Sequence, residues 1–141
     1  MTRARSTAGF TILEMVVVLS LIAVVLGLSF SAWRGHVAQQ RLRYGIVQVA
    51  TDLREGQERA KEARIQYTVT FTAASSAYVI AGGTFGENAR LPDDVTVTAN
   101  DIVTFSAFGQ PDAAHTITIQ NSTGNGTVTV NATGGINYQT P

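Results

Sequence analysis

Cysteine is missing from all 141 residues, which excludes disulfide frameworks, Cys-ligated zinc, iron–sulfur clusters and thiol nucleophiles. Proline is scarce: there are three, the first at Pro92, so nothing ahead of that point breaks a helix by removing a donor and clashing with the preceding turn. Net charge is absent as well. Ten Lys+Arg balance ten Asp+Glu, which argues against a strongly basic chain that coats nucleic acid or anionic lipid. Charged residues make up only 14 % of the chain, against roughly 25 % in an ordinary soluble domain. The length suits one domain, and the shortage of charge is concentrated at one end.

Residues 15–33 are nineteen in succession without a charge. Residues 11–30 form a stretch whose single charge is Glu14; as a helix it rises about 30 Å and matches the hydrocarbon thickness of a bilayer. It is apolar on every side, so it reads as a membrane span rather than an amphipathic core helix. Arg3 and Arg5 precede it with no acid, which by the positive-inside rule keeps residues 1–9 in the cytoplasm and sends the rest outward. Trp33, at the outer edge of the span, reads as an interfacial anchor. A cleavable secretory signal would share the basic start, with Ser29-Phe30-Ser31 as a small-x-small site, but its apolar region is typically about 7–15 residues long. A plain anchor fits the length and gives no reason for Glu14, because a carboxylate in hydrocarbon is costly and normally has a partner.

The run Ala8-Gly9-Phe10-Thr11-Ile12-Leu13-Glu14 resembles the signal of type IV pilins and type II secretion pseudopilins. In that family a short basic leader is cut after a glycine by prepilin peptidase. The new N-terminal residue, usually phenylalanine, is then N-methylated, and a glutamate stands fifth in the mature chain. The resemblance implies cleavage between Gly9 and Phe10, methylation of Phe10, and an assembly or register role for Glu14. A glycine before the bond offers no Cβ and lets the backbone come close to a protease. In a filament, Glu14 would face the N-terminal amine of a neighbouring Phe10, pairing two charges that are each costly alone at low dielectric. Ser31 stands where many pilins carry a proline, a departure from the family pattern.

Beyond the apolar run, Leu42, Ile46, Val49, Leu53, Gly56, Ala60 and Ala63 recur in steps of four and three, one stripe at helical period. Arg41, Arg43, Asp52, Arg54, Glu55, Glu58, Arg59, Lys61, Glu62 and Arg64 fall between them, with Glu55–Arg59 and Glu58–Lys61 spaced as favourable pairs on a solvated face. This half is amphipathic, and Gly56 offers a place for a strand to approach closely. A helix over residues 10–64 would run on the order of 80 Å, too long for a small globular domain.

After Arg64 the period falls to two. Residues 67–71, 78–80, 95–98, 102–105, 116–119, 127–130 and 136–138 are β-branched or aromatic and half apolar, as expected of antiparallel strands with one wet face. Gly82-Gly83, Pro92-Asp93-Asp94, Gly109-Gln110-Pro111-Asp112, residues 121–126 and Gly134-Gly135 supply turns, and residues 116–130 read as a hairpin. The order of these pieces is similar to the H-type minor pseudopilin and FimT-like subgroup, through residues 105–109, 116–120 and 127–135.

The expected fold is therefore α+β: a long N-terminal transmembrane and amphipathic helix on a C-terminal antiparallel β-sheet head, pilin-like in plan. The expected divisions are a leader over 1–9, a transmembrane or filament-core helix over 10–33, an amphipathic helix over 34–64 and the head over 65–141. No catalytic set emerges, so the expectation is a non-enzymatic subunit without cofactor or metal. His36 and His115 are isolated in sequence and read as surface residues. Asp93-Asp94 reads as a turn after Pro92, and Gly82, Gly83 and Gly86 lack the following helix that a phosphate loop needs. Asn121-Ser122-Thr123 and Asn131-Ala132-Thr133 match the glycosylation sequon, a pattern common by chance.

The partners that the resemblance implies are other pilin or pseudopilin subunits, prepilin peptidase, an inner-membrane assembly platform and membrane lipid. The implied location is a bacterial inner membrane, N-terminus cytoplasmic and head extracytoplasmic, followed by a pilus or pseudopilus. Some FimT-like minor pilins instead bind DNA in natural transformation, which needs cations to displace counterions. Beyond Arg64 the only cation here is Arg90, against Glu87, Asp93, Asp94, Asp101 and Asp112, so nucleic acid is disfavoured as a partner.

Overall fold

The computed structural model describes residues 11–141, with the backbone alone for residues 28–32. A single helix, α1 (Ile12–Ala63), is followed by eight strands: β1 (Tyr67–Phe71), β2 (Ala77–Gly82), β3 (Phe85–Arg90), β4 (Thr96–Val97), β5 (Asp101–Phe105), β6 (His115–Asn121), β7 (Gly124–Val130) and β8 (Ile136–Gln139). The chain divides into two compact units, Met1–Gly35 and His36–Pro141. From His36 onward α1 thus belongs with the strands.

In the first unit α1 begins after Thr11, whose hydroxyl accepts the backbone N–H of Glu14 at 3.3 Å, satisfying one of the donors every helix start leaves open. The side chains that follow are apolar and exposed, from Ile12 at 87 % to Leu26 at 64 %. Ser20, the one hydroxyl among residues 12–27, donates to the carbonyl of Val17 at 2.7 Å, so its polar group is satisfied within the helix. Among the described residues no helix is long and apolar enough to cross a membrane. The expected span over residues 10–33 includes Phe10 and the side chains of 28–32, which lie outside that description. The backbone is helical through Gly27 and Gly35.

In the second unit two four-stranded antiparallel sheets form, in the orders β3-β2-β1-β5 and β4-β6-β7-β8. The chain completes β1 to β3, crosses to β4, returns for β5 and crosses again for β6 to β8. Strand alternation decides which side chains turn inward: β1 alternates buried and half-buried, placing Tyr67, Val69 and Phe71 in the core. The helix stripe closes this core, with Leu42, Ile46, Val49, Leu53 and Ala60 all at 0 % exposure. Ala63, expected to continue the stripe, is exposed, because the helix ends there and Arg64 turns into the left-handed region at φ 52°.

Polar side chains of the helix hold the loops in place. Gln57 donates to the carbonyls of Gly109 at 2.7 Å and Gly134 at 3.1 Å, and Arg54 to that of Ile136 at 2.9 Å. Gln48 donates to the carbonyl of Arg90 at 3.0 Å. The Tyr78 hydroxyl donates to Asp52; burial, reinforced by that carboxylate, pushes the phenol far above its usual range. Arg59 lies 4.1 Å over the Phe85 ring and pairs with Glu55.

Two expectations need correction. Strand β3 was not among the expected strands: Gly86, Glu87 and Asn88 show no alternation, because β3 pairs only with β2 at the rim of its sheet and buries little. Gly56 is not the point of close approach. A Cβ there would meet Val69 at 3.5 Å, ordinary contact, whereas one at Gly126 would meet Ile46 at 2.2 Å and the Gln139 carbonyl at 2.7 Å. Gly56→Ala should therefore stabilise the chain by about 0.5–1 kcal/mol through helix preference. Gly126→Ala should destabilise it by about 1–3 kcal/mol through overpacking. Denaturant titration of the full chain, followed by near-UV circular dichroism, measures both, and the reverse order would contradict the packing described.

Candidate functional site

The chemistry that the sequence singles out lies at the start of α1. Gly9 and Phe10 fall outside the described residues; Thr11 and Glu14 fall inside. Thr11 serves as the helix N-cap: its carbonyl accepts the N–H of Met15 at 3.2 Å and its hydroxyl accepts that of Glu14. The spacing Thr-x-x-Glu is that of a capping box, a signal present in the sequence that the family resemblance overshadowed. Among the described residues the Glu14 carboxylate has neither an ion pair nor a hydrogen-bond partner. A carboxylate in the first turn is favoured by the helix dipole, so Glu14 is compatible with a helix start and remains available to a cation from elsewhere. The surrounding side chains, Leu13, Met15, Val17 and Val18, are all exposed. Trp33 is 72 % exposed.

The remaining candidates lie in the head and separate from one another. His36 is exposed. Asp93 and Asp94 occupy the expected turn, closed by Val95 N–H to the Pro92 carbonyl at 3.2 Å, and Asp94 pairs with Arg41 at 3.1 Å. Of the expected Gly82-Gly83 turn, Gly82 ends β2 opposite Phe85, and the turn itself is Gly83 and Thr84. The Asn121 amide is engaged, donating to the Ala38 carbonyl at 2.7 Å, whereas Asn131 sits exposed in the β7–β8 turn. Among the described residues no cluster of His, Cys, Asp or Glu could hold a metal ion.

His115 is not the surface residue that its sequence neighbourhood suggests. Its side chain is 12 % exposed and sits between two carboxylates, with Nδ1 at 2.9 Å from Asp101 and Nε2 at 3.1 Å from Asp112. Asp112 lies three residues away across the turn and Asp101 begins β5, in the other sheet, so no local pattern announces the cluster. The arrangement ties β6 to β5. Because each ring nitrogen faces a carboxylate oxygen, the doubly protonated imidazolium satisfies both contacts, while the neutral ring can donate to only one.

These two groups are the perturbed members of the cluster. Burial alone would lower the His115 pKa, but hydrogen bonds and charge from Asp101 and Asp112 outweigh it and raise it above the ordinary 6.5. Burial would raise Asp112, but the Thr104 N–H and His115 outweigh it and lower it below the ordinary 3.8.

The comparisons with known proteins bear on the helix start. Residues 4–30 match the prokaryotic N-terminal methylation motif. The match covers Gly9, Phe10 and Glu14 and stops short of the head. Neither a curated protein nor a solved structure matches the chain.

The His115 cluster makes stability depend on pH in a defined direction. The histidine contribution is fully present below 6.5 and lost as pH rises through the raised value. The Asp112 contribution is present above 3.8 and lost as pH falls through the lowered value. Thermal unfolding across pH should give greatest head stability between those limits. His115→Gln should remove the decline on the alkaline side, and a parent chain with no such decline would contradict the ion-pair geometry.

Proposed function

We propose that this chain is a non-enzymatic minor subunit of a type II secretion pseudopilus or a type IV pilus. Prepilin peptidase cuts between Gly9 and Phe10, and Phe10 becomes N-methylated. The observation that carries this reading is the exposed apolar surface over residues 12–26 directly within the methylation motif. An exposed surface of that kind on a helix needs lipid or neighbouring helices to cover it.

In this reading residues 1–9 hold the precursor with its N-terminus in the cytoplasm, and the apolar helix is stored in the inner membrane. On assembly the same surface packs against other subunits. Glu14, without a cation among the described residues, pairs with the N-terminal ammonium of an adjoining subunit and sets its register. Trp33 rests at the outer membrane interface, and the head is extracytoplasmic. The H-type, FimT-like subgroup is proposed only on the resemblance carried by residues 105–109, 116–120 and 127–135. For DNA uptake the support is poor: Arg90 is the only cation beyond Arg64, against five carboxylates.

Mass spectrometry of the mature chain should find N-methylphenylalanine at Phe10; an intact Met1, or a start at Ala32, would refute processing. Glu14→Ala should leave cleavage intact and lower recovery of the subunit in sheared filaments at least several-fold. Unchanged recovery would remove the register role.

A further inference from the structure

At the end of the head where α1 stops, three independent features meet. The first is Phe108, 80 % exposed and the most exposed large apolar side chain of the His36–Pro141 unit. It does not sit on a loose loop. The Ser106 N–H donates to the Gln110 carbonyl at 2.8 Å, the Gly109 N–H to the Ser106 carbonyl at 2.8 Å, and Gln57 holds the Gly109 carbonyl at 2.7 Å. Gly109, at φ 73°, leaves room for the Lys61 stem, since a Cβ would fall 2.3 Å from Lys61 Cε. The turn is fixed from both sides and holds an aromatic ring in solvent.

The second is Arg64. It takes the left-handed position after the helix at φ 52°, where glycine is the usual occupant and any other residue is strained. The helix dipole does not require it, because Lys61 already places a cation in the last turn. Lys61 is engaged with Glu58 at 2.9 Å, whereas Arg64 is exposed and, among the described residues, has no carboxylate within ion-pair distance.

The third is the surface between them. One cleft of about 510 Å³ runs from Arg64 and Ile65 past Pro111 to Asp112, and a second of about 410 Å³ lies among Lys61, Arg64, Ala107 and Phe108. Both are bounded by Arg64 and Ala107. At the far end Asp112 is already engaged by His115, so Arg64 is the charge left to a ligand.

We infer that this surface is a docking site for an acidic peptide segment of another protein, one that carries a carboxylate beside an aliphatic or aromatic side chain. The carboxylate pairs with the Arg64 guanidinium, whose planar fork suits it. The apolar side chain packs against Phe108, a rigid aromatic that loses little freedom on binding. Nucleic acid is the poorer occupant: displacing counterions takes several cations, and here one uncommitted guanidinium faces a groove that ends in Asp112. The site requires nothing of the N-terminal segment, so it stands apart from the processing and assembly reading.

The test applies the full chain, in mild detergent, to an array of hexapeptides in which acidic and aliphatic positions vary independently, with an oligothymidylate beside them. Peptides with Asp or Glu next to Leu or Phe should be retained preferentially. Phe108→Ala and Arg64→Gly should each reduce retention at least tenfold. Arg64→Gly should melt at or above the parent temperature, because glycine accepts the backbone angle that arginine strains; its loss of binding then cannot be loss of folding. Retention that ignores acidic content, that survives both substitutions, that is absent throughout, or that is matched by the oligothymidylate would overturn the assignment.

Discussion

A single helical stripe does the organising in the head. Leu42, Ile46, Val49, Leu53 and Ala60 are fully buried and share one core with the inward side chains of both sheets. Neither sheet alone has a second layer to cover its apolar face, and an uncovered face of a sheet is not stable in water. The helix supplies that common cover, and its polar side chains at positions 48, 54 and 57 then bond loop and strand carbonyls along its flanks. Hydrophobic burial fixes which face points inward, and the hydrogen bonds fix where the turns lie along it.

The same α1 carries residues of a wholly different kind in the Met1–Gly35 unit. There the apolar side chains surround the helix instead of forming a stripe, and they remain exposed. A stripe is a contract with one neighbour; an apolar surface on every side needs a surrounding medium. The methylation motif at residues 4–30 falls wholly within this unit, so the part of the chain that comparisons connect to other proteins is the part that does not contribute to the head core. The head matches no curated protein or solved structure, and its description rests on its own packing.

Much of this was legible in the sequence, for reasons that can be stated. The helix stripe and strands β1, β5, β6 and β7 were visible because each buries one face, and burial of one face imposes a period. Strand β3 was invisible for the converse reason: at a sheet rim with little to bury, its residues are free to be Gly86, Glu87 and Asn88. The β6–β7 connection was placed over residues 121–126, but the strands continue to Asn121 and from Gly124, leaving Ser122 and Thr123 as the turn. Gly126 belongs to β7 and was read as a turn residue, because a glycine needed for clearance against Ile46 looks in sequence like any other. The His115 cluster was illegible because Asp101 reaches it from a strand of the other sheet, a contact that no spacing along the chain announces. Glu14 stood out because a charge in an apolar run is conspicuous without any knowledge of the fold.

The bond from Arg54 to the carbonyl of Ile136 joins residues 82 apart, and the Ile136 side chain is itself part of the buried core. A polypeptide emerges N-terminus first, so the greasy side of the helix is made long before the strand that completes its shelter. During that interval partial structure has an unsealed seam, and the delay scales with the tail still to be synthesised. Ile136 is the one residue of β8 that enters the core, so the shelter of the helix stripe is completed by a single late side chain and the carbonyl beside it.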